Sequence, residues 1–203
     1  MIDIMMKKLF FDMDGVLVDF QSGIDKLSEE TKREYEGRLD EVPGIFSLMV
    51  PMPGAIDAAH KLSEHYEVYI LSTAPWNNPS AWTDKVKWLT HHFGDLFKKR
   101  VILTHCKHLV NGDYLIDDRA KHGASEFSGE WIQFGSDRFP NWDVVTHYLI
   151  SKNTKWQKSF PFAIKMSEEA QWFEELPRAL FYGIWKKSHP IFWNFSFLFL
   201  YYI

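Results

Sequence analysis

The sequence predicts an α/β fold in which a parallel β-sheet carries helices on both faces. Two observations support this prediction: short apolar runs alternate along the chain with longer amphipathic segments, and polar residues directly follow several of the runs. This alternation is typical of parallel sheets, because neighbouring parallel strands need a long crossover connection between them. Sheets of this kind bind ligands at the carboxyl ends of their strands.

Five short apolar runs are the predicted strands. Short apolar runs of this kind are expected for strands buried inside a sheet. In chain order they cover residues 8–11, 68–71, 101–103, 114–116 and 131–134.

Apolar residues at helical spacing indicate the helices of the fold. These predicted helices cover residues 55–65, 81–93 and 142–150. In the second of them, Trp82, Val86 and Leu89 are predicted to form the buried side, and Gly94 to end the helix.

Changes in composition divide the chain into three parts. Residues 1–19 and 52–150 are predicted to form a core domain. Residues 21–42 are polar and charged, and breaks follow at Pro43-Gly44 and Pro51-Met52-Pro53-Gly54. Residues 20–51 are therefore predicted to form a small, solvated helical cap inserted after the first strand. Residues 151–203 form a compositionally distinct, aromatic-rich C-terminal extension.

The role of this extension stays open among three interpretations. It packs on the domain as an additional helical element, it forms a homodimer or membrane-surface contact, or it is a non-native extension such as a frameshifted end. Large exposed aromatic patches usually have partners, and this tendency supports the interpretation as a homodimer or membrane-surface contact. The apolar stretch Ile191–Ile203 is shorter than the roughly 20 residues that a membrane-spanning helix requires. We therefore do not expect this stretch to span a membrane as a helix.

The overall composition excludes other classes of protein. The chain has 203 residues and a net charge of -4, so it lacks the basic character expected of a nucleic-acid-binding surface. Its single cysteine, Cys106, rules out an intramolecular disulfide and fits a reducing compartment. No apolar segment of signal-peptide type follows the N-terminus, and we expect a cytoplasmic location.

Two pairs of carboxylates follow predicted strands. Asp12 and Asp14 come after the first strand, and Asp117 and Asp118 come after the fourth. The carboxyl ends of parallel strands meet at one edge of a sheet, and closely spaced carboxylates repel one another unless a cation lies between them. Mg²⁺ prefers carboxylate oxygen together with water and substrate phosphate. The pattern therefore predicts a magnesium site.

The same edge carries groups suited to phosphoryl transfer. A carboxylate can attack phosphorus and form an aspartyl phosphate, while a second carboxylate serves as acid and base. Thr73 offers a hydroxyl and a backbone N–H for phosphate after the second strand. Of the candidate lysines, Lys98 and Lys99 precede a strand, whereas Lys107 follows one and lies at the correct end of the sheet. We therefore expect Lys107 to balance charge in the transition state.

Taken together, these motifs resemble those of the haloacid dehalogenase superfamily of phosphohydrolases. More narrowly, the chain is similar to the 5'(3')-deoxyribonucleotidase family over about residues 8–150. The segments that carry the narrower resemblance are Asp14-Gly15-Val16-Leu17-Val18-Asp19-Phe20, Pro53-Gly54-Ala55, Ser72-Thr73-Ala74-Pro75-Trp76 and Gly112-Asp113-Tyr114-Leu115-Ile116-Asp117-Asp118-Arg119. The resemblance implies a Rossmann-like fold, Mg²⁺ as cofactor and a small phosphomonoester as substrate.

The resemblance also implies roles for individual residues. Asp12 is similar to the nucleophile and Asp14 to the acid/base. The metal ion would be held by Asp12, the backbone carbonyl of Asp14 and Asp118, with Asp117 in support. Thr73 and Lys107 would bind phosphate. Phe20 matches a family position whose aromatic residue helps to enclose the base, and Phe46 is expected to do likewise from the inserted segment. Trp76 follows the phosphate-binding turn, where it either lines the pocket as a substrate contact or packs against the domain.

Two departures from the family bear on the substrate. The insertion before Pro53 is shorter than in the animal deoxyribonucleotidases, so it encloses less of a nucleoside, and the segment after residue 150 has no recognised counterpart. Two alternatives therefore stay open beside a nucleotidase. One is a phosphatase of another small metabolite, such as a sugar phosphate, and the other is a non-catalytic protein that binds a phosphorylated ligand.

Overall fold

A computed structural model describes residues 6–153. The strands, in chain order, are β1 (Lys8–Phe11), β2 (Val18–Asp19), β3 (Val50–Pro51), β4 (Glu67–Ser72), β5 (Val101–Leu103), β6 (Tyr114–Asp117) and β7 (Glu130–Gln133). The α-helices are α1 (Phe20–Ile24), α2 (Glu29–Glu34), α3 (Ile45–Leu48), α4 (Ala55–Ser63), α5 (Pro79–Phe93) and α6 (Trp142–Lys152). Three short 3-10 helices cover Leu39–Glu41, Lys107–Leu109 and Ala124–Glu126.

Five strands form one parallel sheet in the order β5-β4-β1-β6-β7. The central strand, β1, pairs with β4 on one side and with β6 on the other. The chain leaves β1 towards β4 and β5 and later returns to β6, so the strand order reverses beside β1. A reversal of this kind opens a crevice at the carboxyl ends of the strands. The predicted α/β class and its five strands are confirmed.

The two faces of the sheet are covered differently. Successive strand residues point to opposite faces, and accordingly Leu9 and Phe11 belong to the larger apolar core while Phe10 belongs to a smaller one. Helices α4, α5 and α6 supply residues to the larger core. Within the described part of the chain, Ala124 and Phe127 from a 3-10 turn cover the other face. The connections over that face, residues 104–113 and 118–129, contain only the 3-10 helices Lys107–Leu109 and Ala124–Glu126.

The buried side of α5 differs from the predicted one. Leu89 is buried as expected, but Trp82 and Val86 are 37% and 45% exposed. The residues that α5 buries are Ala81, Lys85, Trp88, Leu89 and Phe93. The prediction for Trp82 and Val86 was wrong, because the buried stripe of α5 passes through Lys85 instead.

The segment 20–51, here called the insert, leaves and re-enters the core through a two-stranded antiparallel ribbon. Val18 pairs with Pro51, and Asp19 pairs with Val50. The predicted helical character is seen in α1, α2 and α3. Ser28 begins α2 by accepting a hydrogen bond from the N–H of Thr31, as a helix N-cap residue does.

Hydrogen bonds tie the insert to the N-terminal half of α5. The Asn78 side-chain amide donates to the carbonyl oxygens of Asp40 and Val42, 2.9 Å away in both cases. The Gly44 N–H donates to the Ser80 hydroxyl at 2.8 Å. Further along the helix, the indole of Trp88 donates to the Met49 carbonyl at 2.9 Å. The insert and α5 are therefore held in a defined relation.

The three interpretations of residues 151–203 remain predictions, because the segment beyond Asn153 lies outside the described residues. None of the helices between residues 6 and 153 has the length and apolar character that crossing a membrane requires.

Candidate active site

Three carboxylates converge at the carboxyl edge of the sheet. Asp12 directly follows β1, Asp117 is the last residue of β6, and Asp118 comes next. Asp12 and Asp117 are buried and Asp118 is partly buried, and each offers an oxygen within 4.8 Å of the others. The parallel pairing of β1 with β6 accounts for this convergence, since it places the ends of both strands side by side. The structure thus brings together three of the predicted metal-site residues.

Lys107 lies among these carboxylates. It begins the 3-10 turn after β5 and is almost completely buried. Its Nζ lies 3.1 Å from Asp12 Oδ1 and 2.5 Å from Asp117 Oδ2. A cation beside a nucleophilic carboxylate also lies where the negative charge of a phosphoryl group would accumulate. The position predicted for Lys107, at the correct end of the sheet, agrees with this geometry.

Burial and mutual repulsion shift the ionisation of the cluster. Burial, followed by the neighbouring charge of Asp12, raises the pKa of Asp117 to about 6, against the opposing effect of Lys107. Burial alone would lower the pKa of Lys107, but the carboxylates of Asp12 and Asp117 outweigh it and raise that pKa above its ordinary value. Burial also raises the pKa of Asp118, with Arg119 partly offsetting the shift. The cluster is therefore short of positive charge.

The donor set fits a hard divalent cation. Asp12 Oδ1 is buried and, within the described residues, has no hydrogen-bond partner of good geometry, although Lys107 lies nearby as an ion pair. Such an oxygen retains a lone pair for a metal ion. Carboxylate oxygens are the protein ligands that Mg²⁺ prefers. Asp12, Asp117 and Asp118 are thus suitable ligands for Mg²⁺.

Gly15 allows Asp118 to approach this site. Its φ of +74° lies in the left-handed region, which glycine adopts at little cost. A Cβ at this position would lie only 2.5 Å from Asp118 Oδ2 and 2.8 Å from its Cγ. The glycine of the Asp-Met-Asp-Gly motif therefore provides both the turn after β1 and the space that the Asp118 carboxylate occupies.

Asp14 contacts a lysine that the sequence reasoning missed. The Nζ of Lys85, on α5, donates to Asp14 Oδ2 at 2.7 Å and to the Ser72 hydroxyl at 3.1 Å. Burial raises the pKa of Asp14 above its ordinary value, and the charge of Lys85 partly offsets this effect. The signal that was available is the position of Lys85 four residues after Ala81 and four before Leu89, within the apolar stripe of the helix.

Ser72 and Thr73 direct their hydroxyls to different places. The Thr73 hydroxyl donates to the Thr104 carbonyl at 2.8 Å and is thus bonded to the backbone that follows β5. Ser72 is the last residue of β4, is fully buried and accepts the hydrogen bond from Lys85. Thr73 was a phosphate-binding candidate because of its hydroxyl and its backbone N–H. Since the hydroxyl donates to Thr104, the prediction now rests on the backbone N–H.

The three predicted aromatic residues differ in their contacts and exposure. Phe20 begins α1 and Phe46 lies in α3, and their ring centroids are 5.9 Å apart in an edge-to-face arrangement. The Phe46 ring also lies over Lys85, with Nζ 4.8 Å from its centroid. Trp76 is 80% exposed and, together with Pro79 and Trp82, lines an open surface pocket of about 370 Å³. Trp76 thus differs from Phe46, which is buried.

Comparison with known proteins identifies relatives of one kind. The family described as "5' nucleotidase, deoxy (Pyrimidine), cytosolic type C protein" matches residues 29–159. A relative from Vibrio phage KVP40 is 57% identical over 145 residues, which cover 71% of this chain and 85% of the relative. A relative from Staphylococcus aureus is 34% identical over 134 residues, covering 60% of this chain and 73% of the relative. A third, from Acanthamoeba polyphaga mimivirus, is 29% identical over 203 residues, covering 72% of this chain and 92% of the relative. All three are provisionally named 5'(3')-deoxyribonucleotidases.

Among solved structures, a provisionally classed HAD-hydrolase from Bacillus subtilis, YfnB, determined with bound magnesium, aligns with a TM-score of 0.47. The alignment covers 71% of this chain and 99% of that chain at 14% identity.

Proposed function

Given that this chain belongs to the 5'(3')-deoxyribonucleotidase family of the haloacid dehalogenase superfamily, we propose that it dephosphorylates (deoxy)nucleoside monophosphates with Mg²⁺ through an aspartyl phosphate. The observation that carries the proposal is the placement of Asp12: buried at the end of β1, 3.1 Å from Lys107, with Asp117 and Asp118 within metal-sharing distance. The single cysteine, Cys106, supports a cytoplasmic location as part of the same proposal.

In the proposed reaction, Asp12 attacks the phosphorus atom of the substrate. Lys107 stays beside the attacking carboxylate and offsets the negative charge of the transferring group. The backbone N–H of Thr73 binds a phosphoryl oxygen at the end of β4. Asp12, Asp118 and the Asp14 carbonyl would hold Mg²⁺ with support from Asp117, and the bound ion supplies positive charge to the phosphate.

Asp14 is the proposed acid and base. Its raised pKa suits a carboxyl group that donates a proton to the leaving oxygen of the nucleoside. The same carboxylate then takes a proton from the water that hydrolyses the aspartyl phosphate. Asp14 Oδ1 is buried and has no hydrogen-bond partner within the described residues, so this oxygen is available for both proton transfers.

The insert is proposed to act as a small cap over the substrate. Phe20 and Phe46 form an aromatic pair and are the proposed contacts of the nucleobase. Phe46 is itself buried, and its ring lies over Lys85, which donates to Asp14. Trp76 is proposed as an outer substrate contact because it is largely exposed. Aromatic side chains near the substrate favour a nucleoside, which carries an aromatic base, over a sugar phosphate.

A substrate panel tests the proposal. Deoxyribonucleoside and ribonucleoside 5'- and 3'-monophosphates are compared with hexose and pentose phosphates, with Mg²⁺ and with EDTA. We expect Mg²⁺-dependent release of phosphate from one or more nucleotides and a loss of at least about 10³-fold in Asp12→Asn. Asp95→Asn is the matched control, since Asp95 is 78% exposed and pairs with the exposed Lys98. Full activity in Asp12→Asn refutes the mechanism, preference for sugar phosphates refutes the substrate class, and ligand binding without turnover supports the non-catalytic alternative.

A further inference from the structure

Lys85 is a buried cation with no role in the mechanism so far. Its side chain is fully buried, and lysine is almost never buried without a charged or polar partner. Its partners come from three separate segments: Asp14 after β1, Ser72 at the end of β4, and the Phe46 ring in the insert. Lys107, by contrast, contacts Asp12 and Asp117. The two lysines therefore serve different carboxylates.

The contacts of Lys85 make the two oxygens of Asp14 unequal. Oδ2 accepts a hydrogen bond from Lys85 at 2.7 Å, whereas Oδ1 is buried without a hydrogen-bond partner in the described residues. A carboxylate held at one oxygen by a charged donor loses its freedom to rotate, since charge-assisted hydrogen bonds are short and strong. The free oxygen is then presented in one fixed direction.

We propose that Lys85 is a positioning residue that holds Asp14 Oδ2 and so assigns Oδ1 to proton transfer with the leaving group and with water. This inference rests on the proposed function, in which Asp14 is the acid and base. Ser72 fixes Lys85 from the sheet, and the Phe46 ring covers Nζ from the insert. Through these contacts, the aromatic residue proposed to enclose the nucleobase also confines the lysine that aligns the proton donor.

The inference predicts that loss of Lys85 affects only substrates that need a proton donor. A nucleoside leaves as a poor, strongly basic alkoxide and requires protonation, whereas p-nitrophenolate leaves without it. The test is single-turnover kinetics with enzyme in excess over 2'-deoxyuridine 5'-monophosphate or p-nitrophenyl phosphate. The variants are Lys85→Met, Lys85→Arg, Asp14→Asn and the double variant. Lys87→Met is the control because Lys87 is an exposed lysine on the same helix.

For the nucleotide, Lys85→Met is expected to slow the first turnover by about 10²-fold or more, the usual contribution of a positioned acid. For p-nitrophenyl phosphate, release of p-nitrophenol in the first turnover is expected to slow by less than about tenfold. Lys85→Arg, which retains a charged donor, should recover part of the nucleotide rate. In the Asp14→Asn background, Lys85→Met should have no further effect, because both changes disable one group.

Equal losses with the two substrates, or full additivity with Asp14→Asn, would overturn the inference and leave Lys85 a structural residue. Circular dichroism and thermal melting establish whether Lys85→Met is folded. If it is not, the same comparisons made with Lys85→Arg decide the question. Failure of the proposed function has a different outcome: wild-type protein then releases neither product, and Asp12→Asn is indistinguishable from it.

Discussion

Replacing Gly15 with alanine tests whether the Asp118 carboxylate depends on the space beside this glycine. The added Cβ would lie 2.5 Å from Asp118 Oδ2, whereas ordinary van der Waals contact begins at 3.4 Å. The carboxylate must therefore withdraw by about 0.9 Å, several times the roughly 0.2 Å tolerance of a metal–ligand distance. We expect Gly15→Ala to fold but to lose its affinity for Mg²⁺.

Gly37→Ala is the matched control. Gly37 has a φ of +76°, close to the +74° of Gly15, but a Cβ there would meet nothing within 4 Å. Both variants should lose about 1–2 kcal/mol of stability, the cost of a left-handed conformation for alanine. Because the end of the Asp118 side chain can rotate away, the clash adds little to that loss in Gly15→Ala. Only metal binding should distinguish the two variants.

The assay is thermal unfolding with and without Mg²⁺. An ion at about 100 times its Kd stabilises the folded state by roughly 2.7 kcal/mol, which for a chain of this size raises Tm by roughly 5–10 °C. Wild type and Gly37→Ala should show this rise, and Gly15→Ala should show almost none. A full rise in Gly15→Ala would refute the steric reasoning. Loss of the rise in Gly37→Ala would show that the conformational cost, rather than Asp118, is responsible.

Three further predictions concern stability. Leu89→Ala should cost about 2–5 kcal/mol because Leu89 is 3% exposed, while Val86→Ala should stay within about 0.5 kcal/mol; similar urea midpoints for the two would contradict the buried face assigned to α5. In Tyr66→Phe, the Leu149 carbonyl loses the hydroxyl that donates to it at 2.5 Å, so thermal unfolding should reveal a loss of about 1–3 kcal/mol; unchanged stability would argue against that bond. The pKa of Asp117 is raised to about 6 in the folded protein. Between about pH 4 and about pH 6 the native state therefore retains a proton that the unfolded chain releases. The stability that this bound proton contributes is lost as pH rises through that range. Urea titrations in EDTA should therefore show wild type weakening relative to Asp117→Asn by up to about 3 kcal/mol over that range; a difference independent of pH would contradict the shift.

The sheet and the edge that carries the site were predictable because parallel strands share a carboxyl edge. Residues that follow strands were therefore expected at that edge, and Asp12 and Asp118 lie together there. The same rule selected Lys107 over the lysines that precede β5. These predictions needed only the position of each residue relative to a strand, and a single sequence is enough to give that position. The order of the strands, which pairs β1 with β6, was not predicted.

Side-chain direction was less predictable. Lys85 was overlooked because lysine is normally exposed. Its burial is stabilised by the ion pair with Asp14, which is distant in sequence. Adjacent residues of an extended chain point to opposite sides. The sequence does not show which side Ser72 and Thr73 each take, and hence that the Thr73 hydroxyl bonds the backbone after β5 whereas the Ser72 hydroxyl bonds Lys85. The β2–β3 ribbon is too short to show a periodic pattern. Each of these features is set by tertiary contacts.

Helix α5 fixes the position of Lys85 relative to both the insert and Asp14. Its N-terminal end, at Asn78 and Ser80, is fastened to the insert, and its middle carries Lys85 to the carboxylate of Asp14. An α-helix turns about 100° per residue. Inserting or deleting one residue between Asn78 and Lys85 would therefore rotate the lysine away from Asp14, while the hydrogen bonds from Asn78 to the insert would remain. Natural variation in the length of this chain is therefore expected in the loops of the insert, whereas the spacing from Asn78 to Lys85 should be held constant.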